Sequence, residues 1–212
     1  INLPTKISIL FAVIIWIYLM NIINFVDGSD GLLVTSMFFY WTFILIITNV
    51  FEIELFSKYI SIIIIPIILT FFYFNKPIAS VYMGDAGSIF FGFLTGYSFL
   101  ELLISGYWNI AISLLIFPII DCSICLIRKL IKGHMPWVGM YDYFFLIPVL
   151  RNKANHKNIL IVIFIFHILN SITIYLQLYF NNFYLLTINI FLALILLIIF
   201  KKVKLENIKF IN

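Results

Sequence analysis

Two segments of the chain combine carboxylates, amides and glycines at spacings that suit phosphate chemistry. The first reads Asn21-Ile-Ile-Asn24-Phe-Val-Asp27-Gly28-Ser-Asp30-Gly31-Leu32. Asn21 and Asn24 are three residues apart at the end of a predicted helix, so they share one face. Glycine permits a sharply turned backbone, so the two Asp-Gly pairs can bring both carboxylates together while neighbouring amides face an anion. We interpret this segment as functional rather than as a plain loop.

The second segment follows a helix that ends near Asn75 and reads Tyr82-Met83-Gly84-Asp85-Ala86-Gly87-Ser88. Its Gly-Asp-x-Gly-Ser run is predicted to open a helix, which places free amides and the positive end of the helix dipole beside the Asp85 carboxylate. Such a place suits a diphosphate with a divalent cation. Mg²⁺ is favoured over Ca²⁺, because Mg²⁺ usually takes one or two carboxylates plus substrate phosphates. The alternative that Asp85 is only a helix N-cap stays open.

The composition shows what kind of protein must position these segments. Of 212 residues, 64% are hydrophobic and 10% are charged, with a mean hydropathy of +1.16. Soluble domains are roughly 45–50% apolar and about 25% charged, so a soluble fold and a disordered chain are both excluded. Membrane β-strands alternate apolar and polar residues, whereas the apolar runs here are continuous. We therefore predict an all-α, polytopic transmembrane helical bundle forming a single domain over residues 1–212.

Runs of about 20 apolar residues predict seven membrane spans. The last two divide one long apolar stretch, which we expect to break at Asn181-Asn182. Ser88, Gly92 and Gly96 form a small-residue ladder along the fourth span, which predicts close helix packing behind Asp85. His167 lies within a span and is expected to be a packing residue. The predicted spans are Ile7–Val26, Gly31–Phe51, Tyr59–Asn75, Ser88–Ser105, Trp108–Ile127 and the two halves of Asn158–Phe200.

The cationic residues predict which ends of the spans face the cytoplasm. With alternating loops, eleven of the thirteen Lys and Arg residues fall on one side, which the positive-inside rule makes cytoplasmic. The net charge of +4 therefore reports topology and anionic lipid rather than nucleic acid. Four carboxylates approach the same boundary, and ionisable groups at membrane depth are usually functional. They are Asp27, Asp30, Asp85 and Asp121; the predicted cytoplasmic segments are 24–32, 75–88, 128–157 and 201–212.

At these residues the chain resembles the polyprenyl-phosphate N-acetylhexosamine-1-phosphate transferases, glycosyltransferase family 4. This superfamily includes the undecaprenyl-phosphate GlcNAc-1-phosphate and phospho-MurNAc-pentapeptide transferases. Its Asn-x-x-Asn-x-x-Asp-Gly-x-Asp-Gly-Leu motif is matched in full by Asn21 to Leu32, and its Met-Gly-Asp-x-Gly-Ser motif by Met83 to Ser88. Asn75-x-Pro77 and Tyr82 are similar to further family features, and Phe117 to Gly133 is similar more loosely. The resemblance covers roughly Ile7 to Pro136.

The resemblance implies roles for individual residues. Asp27, Asp30 and Asp85 would be catalytic, with Asp85 as the principal Mg²⁺ ligand and Asp27 beside it; Mn²⁺ is an alternative metal. Tyr82 would stack on the uracil, and Asn75 and Asp30 would lie near the base edge. Asn24 would hold the Asp-Gly loop or bind the donor. The implied substrate-binding residues are Asn21, Asn24, Gly28, Asn75, Tyr82 and Arg128.

Two departures from the family pattern stand out. Family members carry an earlier cytoplasmic Asp-Asp pair, and nothing upstream of Ile7 supplies it, so we expect an N-terminally incomplete family member. The family also has a His-x-His-His element about ten residues after a Lys-Gly pair. Here that region reads Met140 to Leu146 without histidine. His134 and His156 flank it, but neither matches the spacing.

The resemblance implies transfer of an N-acetylhexosamine, or a related sugar, as its 1-phosphate from a UDP-sugar to a polyprenyl (undecaprenyl) phosphate, releasing UMP. Such a step initiates peptidoglycan lipid, lipopolysaccharide, O-antigen or other cell-envelope polysaccharide synthesis in a bacterial-type inner membrane. The active site would face the cytoplasm, and a homodimer is an open alternative. Two alternative hypotheses are a catalytically silent paralogue that binds nucleotide or lipid, and a cation-coupled transporter. The sequence does not specify the sugar.

Overall fold

A computed structural model describes residues 5–133, 135, 143–150 and 155–202, and all regular structure in these residues is helical. These residues form six long helices, and a bent pair of shorter helices interrupts the series. The helices are α1 (Thr5–Val26), α2 (Leu32–Val50), α3 (Ser57–Asn75), α4 (Gly84–Ile104), α5 (Trp108–Leu114), α6 (Ile116–Ile131), α7 (Ile147–Leu150), α8 (His156–Tyr179), a 3₁₀ turn (Phe183–Leu185) and α9 (Leu186–Lys202).

The long helices have the length and hydropathy of membrane spans. Among the described residues, six helical segments qualify singly, and α5 with α6 qualifies as a seventh when the bent pair is taken as one span. Large apolar side chains face outward along them, for example Phe11, Ile63 and Phe191, each more than half exposed. In water this surface would be strongly unfavourable, whereas lipid solvates it. The protein is thus a multi-pass membrane helical bundle, as the composition predicts.

The fifth predicted span is not the single helix expected over Trp108–Ile127. The chain bends by 71° between α5 and α6, at Leu115. Pro118 accounts for the bend, because a proline has no N–H for the carbonyl four residues earlier and its ring crowds that carbonyl. The residue four positions before Pro118 is Leu114, where α5 ends. Pro66, by contrast, lies inside the continuous α3.

Helices α1 and α4 form the most extensive helix pair of the bundle. The predicted small-residue ladder lies at their contact: a Cβ on Gly92 would stand 2.8 Å from the Cα of Met20, and one on Gly96 would meet the Trp16 ring. Trp16 also donates its indole N–H to the carbonyl of Phe93 at 2.9 Å. The two backbones can approach this closely only because α4 carries glycine there. The prediction of close packing is confirmed.

The long C-terminal apolar stretch divides where expected. Helix α8 ends at Tyr179, Asn181 has a φ of 46°, and Asn182 accepts the amide N–H of Tyr184 in its side-chain oxygen at 3.0 Å. His167 in α8 is buried, lies 3.1 Å from the Ser36 hydroxyl and stacks parallel to Phe39. It is a packing residue, as predicted.

Candidate functional site

The loop between α1 and α2, residues 27–31, meets the segment between α3 and α4 at one end of the bundle. Gly31 donates its amide N–H to the Asn75 side-chain oxygen at 3.1 Å, and the Asn75 amide nitrogen donates to the Val81 carbonyl at 2.9 Å. Asn75 is 2% exposed. Gly31 has a φ of 73°, a conformation that glycine adopts without strain. Asn75 therefore fastens the two segments together, and its predicted contact with substrate stays a prediction.

Asp27 and Asp85 come together at the beginning of α4. The Asp27 carboxylate accepts the backbone N–H of Gly84, the first residue of α4, at 3.1 Å. Asp85 lies in the first turn of the same helix and is exposed. The N-cap position is occupied by Met83, and no side chain forms the cap hydrogen bond there. The alternative that Asp85 is the N-cap is therefore wrong. The first backbone N–H of α4 is instead accepted by Asp27, from the loop between α1 and α2.

The carboxylates of Asp27 and Asp85 influence each other electrostatically. Burial raises the pKa of the Asp27 carboxyl to about 6, the negative charge of Asp85 raises it as well, and the Gly84 N–H opposes the shift. Two neighbouring carboxylates beside an exposed helix N-terminus fit Mg²⁺, which takes one or two carboxylates and completes its shell with water and phosphate oxygens. Among the described residues no group of three or more His, Cys, Asp and Glu could hold a metal. The protein would supply two ligands here.

Asp30 links the Asp-Gly loop to the segment before α4. It is 8% exposed, and its carboxylate accepts the backbone N–H of Ala79 at 3.1 Å. Asn24 joins α1 to α4, since its side-chain oxygen accepts the Ser88 hydroxyl at 2.5 Å. Asn21 is exposed and donates to the Ile17 carbonyl within its own helix at 2.9 Å. Asp30 and Asn24 thus hold the second segment against the first, and their contacts with substrate remain predictions.

The other predicted substrate-binding residues differ in their exposure. Tyr82 is 67% exposed, two residues before α4, and its ring is free to contact a ligand. Gly28 is exposed in the loop, and an added Cβ there would lie 3.4 Å from the Leu146 side chain. Arg128 lies over the Phe144 ring, 4.4 Å from its centroid, near the end of α6. Gly28 and Arg128 therefore both lie beside residues 144–146.

Asp121 does not join the other three carboxylates, contrary to the expectation of four facing one site. It is 1% exposed within α6, and its two oxygens accept the backbone N–H groups of Phe144 at 3.0 Å and Phe145 at 3.4 Å. It fastens residues 143–146 against the bundle. There Tyr143 stacks on both Phe25 and Phe145, where the family has its histidine element. His134 and residues 136–142 lie outside the described residues.

His156 belongs to the site, although its spacing matched no pattern. Its Nδ1 lies 2.8 Å from the Ser29 hydroxyl and 3.3 Å from the backbone nitrogen of Asp30. His156 is the first residue of α8, whose beginning lies at the same end of the bundle as the Asp-Gly loop. Only the topology could have indicated this contact, since 126 residues separate His156 from Asp30.

Comparisons with known proteins bear on the family of the chain. Residues 1–103 match the family described as Glycosyl transferase family 4. This part, just under half of the 212 residues, contains both motifs, and the match confirms the resemblance noted in the sequence.

Two curated relatives match a shorter stretch of the chain. The phospho-N-acetylmuramoyl-pentapeptide-transferases of Wolbachia sp. subsp. Drosophila simulans (strain wRi) and of Wolbachia pipientis wMel are each 31% identical to the chain over 86 residues. The match covers 41% of this chain and 26% of each relative. The chain thus matches about a quarter of the length of these relatives.

Proposed function

We propose that the protein transfers a sugar 1-phosphate from a UDP-sugar to a polyprenyl phosphate and releases UMP. An oxygen of the lipid phosphate forms a bond to the phosphorus that carries the sugar. The bond from that phosphorus to the bridging oxygen of the diphosphate breaks, and UMP leaves with that oxygen. The observation that carries the proposal is the meeting of Asp27 and Asp85 at the N-terminus of α4, within the segment that matches glycosyl transferase family 4.

Asp85 and Asp27 are the residues that would hold Mg²⁺, with Mn²⁺ as a substitute. The metal would offset the repulsion between two phosphoanions and the charge that develops on the leaving phosphate. The chain itself supplies the position of the diphosphate. Asp27 accepts the first amide of α4, and the other amides of the first turn, with the positive end of the helix dipole, would bind the diphosphate beside Asp85. Positioning and electrostatics would then provide most of the acceleration.

The polar residues around this pair have supporting roles in the proposal. Tyr82 offers an exposed aromatic face for the uracil at the entrance to α4. Asn75, Asp30 and Asn24 hold the two segments in register through backbone amides, a backbone carbonyl and the Ser88 hydroxyl. A site whose parts are fixed in this way can orient a donor and an acceptor at little entropic cost during the reaction.

The membrane location fits a lipid acceptor. The carboxylates lie at helix ends, where a phosphate at the membrane boundary meets a water-soluble nucleotide sugar. An isoprenoid chain would lie along an apolar groove between spans. We place the site on the cytoplasmic side, in keeping with the predicted distribution of lysines and arginines. The same location at helix ends argues against a cation-coupled transporter, whose ion sites usually lie near the bilayer midplane in broken helices.

The test is made on the product of the complete gene, purified in detergent or nanodiscs. A panel of radiolabelled UDP-sugars is supplied with polyprenyl phosphate and Mg²⁺, and both UMP release and label transfer to lipid are measured. We expect one donor to give both products in equal amounts, and only with lipid phosphate and metal present. Absence of both products with every donor would contradict the proposed transfer reaction.

A second candidate is a paralogue that binds nucleotide or lipid without turnover. It is favoured by one observation, the stacked Tyr143 and Phe145 at the place of the family's histidine element. This candidate predicts that UMP or a UDP-sugar protects the protein against thermal unfolding while no UMP is released. Transfer of label to lipid would exclude it.

A further inference from the structure

We propose that His156 is a positioning residue of the Asp-Gly loop, acting through its Nδ1 atom as a hydrogen-bond acceptor. Its catalytic significance rests on the proposed function, because the loop it holds carries Asp27 and Asp30. The contact itself can be tested without any turnover.

The contacts of His156 define which ring nitrogen is protonated. A backbone N–H can only donate, so Nδ1, which lies 3.3 Å from the Asp30 nitrogen, must accept. The Ser29 hydroxyl, 2.8 Å away, then donates to the same atom. A neutral ring with an accepting Nδ1 carries its proton on Nε2. His156 is therefore used here as an acceptor rather than as a cation.

Asp30 is held by two other segments of the chain. Its backbone N–H goes to His156 at the beginning of α8, and its carboxylate goes to Ala79 before α4. The next amide, that of Gly31, goes to Asn75 at the end of α3. The position of the loop relative to α3, α4 and α8 is thus fixed at consecutive backbone groups. His156 supplies the contact to α8.

Loss of His156 would leave two donors without a partner. Ser29 is 6% exposed and Asp30 is 8% exposed, so water has little access to either. A buried donor left unsatisfied is unfavourable, because it loses its hydrogen bond without gaining one to water. The loop is expected to relieve this by moving, and Asp27 lies only two residues before Ser29. Misplacement by about 1 Å can lower a rate by about a hundredfold.

Three substitutions distinguish an accepting Nδ1 from general packing at the start of α8. His156→Asn places an amide oxygen close to the position of Nδ1, so it preserves the acceptor. His156→Gln reaches instead toward the position of Nε2, and His156→Ala removes both. Asn158→Ala is the matched control, since Asn158 is exposed in the same turn of α8.

The first measurement is hydrogen–deuterium exchange of the peptide that spans residues 25–33, on the full protein in nanodiscs. We expect His156→Ala and His156→Gln to speed amide exchange there about three- to tenfold, the loss of one hydrogen bond. His156→Asn and Asn158→Ala should exchange as the wild type does. Unchanged exchange in His156→Ala, or exchange in His156→Asn as fast as in His156→Ala, would overturn the proposal.

The second measurement is the rate of UMP release by the same variants. We expect kcat to fall about ten- to a hundredfold in His156→Ala, with KM for the UDP-sugar nearly unchanged, and to recover in His156→Asn. A raised KM at constant kcat would contradict a positioning role. If the wild type releases no UMP, the proposed function fails, while the exchange result still decides the contact.

Discussion

Three of the aspartates discussed above accept backbone N–H groups, whereas Asp85 is exposed. Asp27, Asp30 and Asp121 each accept a backbone N–H, from Gly84, Ala79 and Phe144 respectively. Asp85 is exposed at the start of α4. The motifs predicted which aspartates matter, but a backbone amide has no signature in the sequence. For that reason the sequence could group Asp121 with the others although the fold uses it elsewhere.

Asp27 has two separable roles, as acceptor for α4 and as negative charge. Asp27→Asn retains an oxygen for the Gly84 N–H but removes the charge. Burial raises the pKa of Asp27 to about 6, so ionising this carboxyl is less favourable in the folded protein than in the unfolded chain, and the neutral amide should not destabilise the fold. We expect an unchanged or slightly higher Tm and UMP release lowered by about a hundredfold. Thermal unfolding and the UMP assay check the two parts.

Asp27→Ala is the companion variant, because it removes the acceptor as well as the charge. It should lower the free energy of unfolding by about 0.5–2 kcal/mol, the effect of losing a side-chain acceptor at a helix N-terminus that water still reaches. Equal stability in the Ala and wild-type proteins would show that the contact with Gly84 is not important. Wild-type turnover in Asp27→Asn would remove Asp27 from the catalytic group.

Asp121 should matter for the order of residues 143–150 rather than for metal binding. Asp121→Ala leaves the amides of Phe144 and Phe145 without an acceptor, so the segment should exchange its amides faster and be cut sooner by protease. Asp121→Asn keeps one oxygen and should be intermediate. The Mg²⁺ concentration for half-maximal activity should stay the same in both variants; a large increase would place Asp121 among the metal ligands.

At the scale of the helices, apolar runs predicted the spans, and Asn181-Asn182 predicted the break between α8 and α9. The bend between α5 and α6 was not predicted, although Pro118 was visible. Pro66 is also a span proline, and α3 continues through it. Whether a proline bends a helix depends on the neighbours that satisfy the freed carbonyl, and those neighbours are set by tertiary packing.

The close packing of α1 against α4 can be tested by adding a side chain at Gly92. Gly92→Leu would force a side chain into the Met20 backbone, which lies 2.8 Å from the added Cβ. We expect a loss of about 1–3 kcal/mol or more, with displacement of Asn24 from Ser88 and reduced activity. Ile89→Phe, at an exposed position of the same helix, is the matched control. Thermal unfolding of both variants decides: similar Tm values would contradict close packing at Gly92.

For the whole molecule, chain alternation brings distant segments to one end of the bundle. The Asp-Gly loop, residues 75–84 and the start of α8 meet there, while Glu101 accepts the amides of Phe56 and Ser57 at the other end. The sequence indicated which loops share a side through its lysines and arginines. It could not indicate which side chains touch, and so His156 was missed.

The orientation is testable by labelling introduced cysteines in intact cells. Ser80→Cys, exposed before α4, should react with a membrane-impermeant maleimide only after the cells are opened. Glu54→Cys, exposed between α2 and α3, should react in intact cells. The parent protein, with Cys122 and Cys125 only, gives the background. The reverse pattern would place the carboxylates outside and contradict a cytoplasmic donor.

The central claim is that Asp85 and Asp27 form one metal–diphosphate site at the start of α4. The most direct measurement is Mg²⁺-dependent UMP release by Asp85→Asn beside Glu52→Gln, a neutralised carboxylate in the loop at the opposite end of the bundle. We predict that Asp85→Asn loses about a hundredfold or more of the wild-type rate at saturating UDP-sugar, and that Glu52→Gln retains it. Undiminished release by Asp85→Asn at every Mg²⁺ concentration would contradict the account.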